Sequence, residues 1–127
     1  MSRAEQEAVV ERFLAAVRGG DLQGLLDVLA PDVVLLADGG GEVAAARRPI
    51  EGADRVGAFL GSLVKRAGDF EVMPMWLNGG PAARFDLDGE LNTVASLVIE
   101  DGRITRIYAI RNPHKLARLD EEATLSR

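Results

Sequence analysis

The chain has 127 residues, 47% of them hydrophobic and 28% charged, which suits one globular domain and is too little for two. Cysteine is absent and histidine occurs once, at His114, which excludes disulfides, thiolate chemistry and any metal site built on several imidazoles. Twenty Asp and Glu against fifteen Lys and Arg give a net charge of −5, which argues against a surface that grips nucleic-acid phosphates.

The elements follow in chain order. Ser2-Arg3-Ala4-Glu5 is a capping box, with a hydroxyl at the N-cap and a glutamate reaching back from the third helical position. A domain boundary is expected there, with a piece cut from a longer protein as the alternative to a stand-alone chain. Val9, Phe13, Ala16 and Val17 recur at helical spacing, and Gly19-Gly20 ends that helix. Asp21 caps a second helix with Leu22, Leu25, Leu26 and Leu29 on one face, and Pro31 is expected to stop it. Residues 33–37 form a continuous apolar run, read as a strand buried on both faces. Residues 43–48 are expected to return as the second strand of a hairpin, and 49–52 to form a turn. A third helix carries Val56, Phe59, Leu60, Leu63 and Val64 in one stripe and ends at Gly68.

The remainder reads as consecutive strands over 70–77, 83–87, 91–99 and 104–111, joined by turns at Asn78-Gly79, Asp88-Gly89 and Asp101-Gly102. Asn112 then caps a short final helix with Pro113 in its first position, and residues 120–127 are a frayed tail. Runs of helices followed by runs of strands give an α+β class, with one domain over 1–119. A curved antiparallel sheet with three helices on its concave side would bury these stripes and leave a pocket between the layers.

Few residues offer chemistry. The run Gly39-Gly40-Gly41 lacks phosphate-loop spacing and does not open a helix, so it reads as a turn or as a place where a partner approaches closely. Asp38 is the one candidate base, with capping of the glycine turn as its competing role. Asp86 alternates with Phe85 and Leu87 and is expected to face solvent. Asn92, Ser96 and Arg111 are candidates for the concave face. Trp76, Phe85 and Tyr108 lie on three strands and, with Arg111, are the candidate pocket walls; plain core is the competing assignment. His114 opens a helix, where the dipole disfavours its charged form. No catalytic, metal or cofactor residues are assigned. No apolar run approaches the roughly 18 residues that cross a bilayer, so no membrane contact and a cytoplasmic location are expected.

The element order resembles the SnoaL-like branch of the nuclear-transport-factor-2-like superfamily. Asp38-Gly39-Gly40-Gly41-Glu42 resembles the D-G-G-G-K signature of the C-terminal domain of group-41-type extracytoplasmic-function sigma factors. Asn112-Pro113-His114-Lys115-Leu116 resembles their N-P-D-K-L signature. Glu42 stands in place of the lysine and His114 in place of the aspartate. Arg48-Pro49-Ile50, Asn78-Gly79, Pro81-Ala82 and Asp101-Gly102-Arg103-Ile104 also match that family's pattern. The resemblance implies a cone-shaped fold and a non-enzymatic domain that regulates transcription by docking on sigma-factor domains, and through them on RNA polymerase. It assigns Asp38–Glu42 and Asn112–Leu116 to the docking face. It is compatible with an apolar small-molecule ligand and a homodimer. The alternatives are a stand-alone ligand-binding domain and an isomerase, cyclase or dehydratase of the same fold.

Overall fold

The first helix starts where the capping box requires. In a computed structural model, which describes residues 2–38, 49–66, 68–87 and 89–110, helix α1 spans Arg3–Gly19. The Glu5 N–H donates to the Ser2 hydroxyl at 3.1 Å, and the Ser2 N–H donates to the Glu5 carboxylate at 3.3 Å. Hydrogen bonding from the Ser2 backbone, then from its side chain, holds the Glu5 carboxyl below its ordinary range. This link is therefore fully present above the ordinary carboxylate pKa and is lost as pH falls through the lowered one.

Gly20, at φ 62°, closes α1 in the left-handed region. Asp21 caps α2 (Leu22–Val28) by accepting from the Gly24 N–H at 3.0 Å. A Cβ on Gly24 would lie 2.6 Å from Asp21 Oδ2 and 3.1 Å from the Ala16 Cβ, so the glycine leaves room for the cap under α1. Asp21→Ala is expected to cost about 1 kcal/mol, read as a lower urea midpoint at unchanged m value. A midpoint equal to wild type would show that the cap contributes nothing.

Strand β1 (Leu29–Asp38) follows α2 directly, so the helix stops earlier and the strand starts earlier than the position of Pro31 suggested. The pairing explains how a proline fits there. Leu29 pairs with Ile104, regular register resumes only at Val34 with Arg106, and Pro31 lies in the irregular stretch between, where a missing N–H breaks no ladder. The expected second strand over 43–48 falls outside the described residues. The strand paired antiparallel to β1 on this side is β2 (Ile50–Glu51), within the segment read as a turn. Gly52, at φ 98°, donates its N–H to the Val33 carbonyl at 2.8 Å and leads into α3 (Ala53–Arg66).

Strands β3 (Phe70–Leu77), β4 (Gly80–Leu87), β5 (Glu90–Glu100) and β6 (Arg103–Ile110) form the expected meander. Asn78 and Gly79, at φ 51° and 77°, and Asp101 and Gly102, at 51° and 78°, are both left-handed pairs that suit twisted strands. The sheet order is β2-β1-β6-β5-β4-β3, and β6 runs parallel to β1. The sheet is therefore mixed, where an antiparallel one was expected. Hairpin signals report only neighbours in the chain, and this contact joins its two ends. The expected short C-terminal helix lies outside the described residues.

One face of the sheet carries the core. Phe13, Leu14 and Val17 of α1 and Val56 and Leu60 of α3 are buried with Leu35, Val72, Leu97 and Ile107 of the strands. Across this face runs a band of small residues, in register from Pro74 through Ala83, Ala95 and Ala109 to Ala37. Bulges after Phe85 and Val98 bend the strands, and the sheet curves around the helices. Arg18 at the end of α1 donates to the Val72 carbonyl at 2.9 Å, tying the helix to β3. Among the described residues no helix is long and apolar enough to cross a membrane.

Candidate functional site

The structure places the points from which the two signature segments leave the sheet. Asp38 is the last residue of β1; Gly39, Gly40, Gly41 and Glu42 lie outside the described residues. Ile110 is the last residue of β6; Arg111, Asn112, Pro113, His114, Lys115 and Leu116 also lie outside them. Asp38 and Ile110 are partners in register. Because β1 and β6 are parallel, the chain leaves both strands at the same end, from positions about 5 Å apart. An antiparallel pair would have sent the two segments to opposite ends.

The candidate pocket walls do not come together. Trp76 lies by alternation on the helix-covered face, with the Arg3 guanidinium 4.2 Å from its ring centroid. Phe85 shares that face and packs against the core. Tyr108 is on the other face. It pairs with Ser96, whose chain neighbours Ala95 and Leu97 point into the core, and it is 36% exposed. Its hydroxyl accepts from Arg106 at 2.9 Å, which pushes the guanidinium pKa further up. A period of two decides the matter: Ile107 is core, so Tyr108 cannot be. Ser96 is off the concave face for the same reason, and Arg111 is outside the described residues.

Asp86 is a second correction. It is 8% exposed and accepts from Arg84 Nε at 2.8 Å, on the face opposite the helices. Its carboxylate is committed to that ion pair. Among the described residues no three His, Asp or Glu side chains are grouped to hold a metal ion.

A cleft of about 440 Å³ lies where the irregular start of β1 meets the start of α3. Leu26, Leu29 and Pro31 form its apolar side, while Glu51, Asp54, Arg55 and Arg103 bring charges of both signs. The sequence reading missed it. Its available signal was the proline inside an apolar run, which marks a strand that must leave its ladder.

The profile of the SnoaL-like domain matches residues 10–107. The chain belongs to the SnoaL-like domain family. The domain is 30% identical to the ECF RNA polymerase sigma factor SigJ of Mycobacterium tuberculosis over 117 residues, covering 84% of this chain and 38% of that protein. It is 34% identical to the probable ECF RNA polymerase sigma factor SigI of the same organism over 121 residues, covering 94% and 39%. The SnoaL-like domain thus spans under two-fifths of the length of these relatives. The crystal structure of SigJ superposes with a TM-score of 0.68 at 28% identity, over 87% of this chain and 43% of that one. An NTF-2-like protein of Burkholderia xenovorans, at 14% identity and a TM-score of 0.66 over 86% and 84%, shares the fold.

Proposed function

We propose that this SnoaL-like domain is a regulatory module of an extracytoplasmic-function sigma factor, acting in the cytoplasm without catalysis of its own. The observation that carries the reading is the similarity to SigJ, which extends over most of the domain in both sequence and backbone. The partners are the sigma-factor domains that engage RNA polymerase. Promoter DNA is not a direct partner, in keeping with the net charge of −5 and only two lysines.

The docking surface is the rim that begins at Asp38 and Ile110. It comprises Asp38–Glu42 and Asn112–Leu116; Asp38 and Ile110, where the two described strands end, are partners in register. Glycines leave backbone accessible to a partner, and Lys115 offers it a charge. A docked domain biases the sigma factor only through different affinities for its active and inactive arrangements.

The test is promoter-driven transcription in vitro by an ECF sigma factor carrying this domain, with wild-type sequence or Gly40→Val. The variant is expected to change transcript yield several-fold while the isolated domain melts as wild type. Normal melting with unchanged transcription would mean that the glycine run is only a turn.

A further inference from the structure

The cleft at the start of β1 is one end of a longer apolar groove between α2 and α3. Gly57 of α3 is buried, and a Cβ built on it would lie 3.1 Å from Leu22 Cδ1 and 3.6 Å from Leu26 Cδ2. The glycine thus lets α2 approach until both leucines lie across it. Leu26 also lines the cleft, together with Leu29, Pro31 and Ala53. The apolar surface therefore continues from Leu22 to Pro31, a span of roughly 15 Å. Leu22 is 51% exposed, the most of any large hydrophobic side chain among the described residues, and Pro31 is exposed as well.

We infer that this groove docks one amphipathic helix, basic on its polar side, presented by a partner protein. Backbone chemistry favours a helix over an extended peptide. Pro31 has no N–H to offer, and the register of β1 is broken between Leu29 and Val34, so an added strand would find no ladder there. Recognition falls to side chains, and a helix brings its own backbone already paired. About ten residues of helix span the groove, and apolar side chains at helical spacing reach Leu22, Leu26 and the cleft. Charge sets the sign. Exposed Asp27 and Asp32 follow Leu26 and Pro31 in the chain, and exposed Glu51 and Asp54 line the cleft. Against these acids stand Arg55 and Arg103, and among the described residues neither arginine is ion-paired. The two arginines suit the C-terminal carbonyls of the bound helix, whose partial charge is negative, and so set its direction. A second copy would bring acids onto acids, and nucleic acid or an anionic membrane would meet the same repulsion.

The groove lies at the Leu29 end of β1 and the docking rim at its Asp38 end, so the inference does not rest on the sigma-factor reading. The probe is an amphipathic peptide of about 14 leucine and lysine residues at helical spacing. It is titrated into the full, isotope-labelled chain at about 100 μM, with amide chemical shifts as the readout. Saturable shifts are expected at Leu22, Leu26, Gly52, Ala53 and Gly57. A peptide of the same composition with its leucines scattered is expected to bind at least about tenfold more weakly. Leu22→Lys is expected to cost a similar factor, because it places a cation where an apolar anchor seats. Position 22 is exposed at the start of α2, so the rest of the spectrum should stay that of a folded domain. If the variant fails to fold, Glu51→Lys, at an exposed position in the cleft, decides in its place through a several-fold loss. The inference is overturned by the absence of saturable shifts, by shifts outside these residues, or by equal affinity for the scattered peptide. A folded variant that binds as wild type overturns it too. Shifts at these residues that grow with protein concentration alone would make a second copy the occupant, and so would also overturn it.

Discussion

Phe13→Ala is expected to lower the melting temperature of the domain by about 12–20 °C. The ring is 1% exposed and sits on α1 against the sheet. Its removal forfeits the transfer free energy of a buried phenyl group and leaves a cavity that collapses only in part, together about 3–5 kcal/mol. At this chain length each kcal/mol is worth about 4 °C. α1 cannot simply settle into the gap, because its ends are fixed. Arg18 bonds the Val72 carbonyl at one end, and Arg3 lies over the Trp76 ring at the other. Calorimetry checks the value. A shift below about 4 °C would mean that the helix moves freely on the sheet.

The second large effect comes from adding volume. Ala95 is 3% exposed, in the band of small residues that crosses the helix-covered face from Pro74 to Ala37. Ala95→Leu is expected to cost about 1–3 kcal/mol, because the flanking Ala83 and Ala109 are strand backbone neighbours that cannot step aside. The adjacent Ser96 faces the other way, toward the outer face of the sheet. One position along the strand separates core from outer face. A wild-type melt for Ala95→Leu would show that the band is open space rather than packed core.

What could be read from the sequence was whatever depends on local spacing. The capping box, the left-handed Gly20, the Asp21 cap and the Asn78-Gly79 and Asp101-Gly102 turns each need only a few consecutive residues, and each stands in the structure as expected; Asp88 lies outside the described residues. The meander follows from those turns. What escaped is non-local. Nothing near Pro31 announces that Leu29 pairs with Ile104, and nothing near Ile50 announces that the edge of β1 is free to receive it. The ring assignments failed on phase. Trp76, Phe85 and Tyr108 share aromatic character, whereas the pleat puts Tyr108 on the face away from the other two. The ion pair of Arg84 and Asp86 escaped for a related reason: alternation names the face and says nothing of what covers it. The two signature motifs were legible, but that Asp38 and Ile110, which precede them, are partners in register depends on a parallel pair that no motif encodes.

That parallel pair also bears on the order in which the protein can be made. Every strand of the meander meets its partner a few residues after leaving the ribosome. β1 meets β2 soon, but its other edge waits until residues 104–110 have been synthesised. Until then the doubly apolar run 33–37 has an open edge, the kind that recruits other nascent chains. A chain broken off anywhere before β6 would keep that edge for good, so the last described strand closes the sheet and removes its most adhesive border.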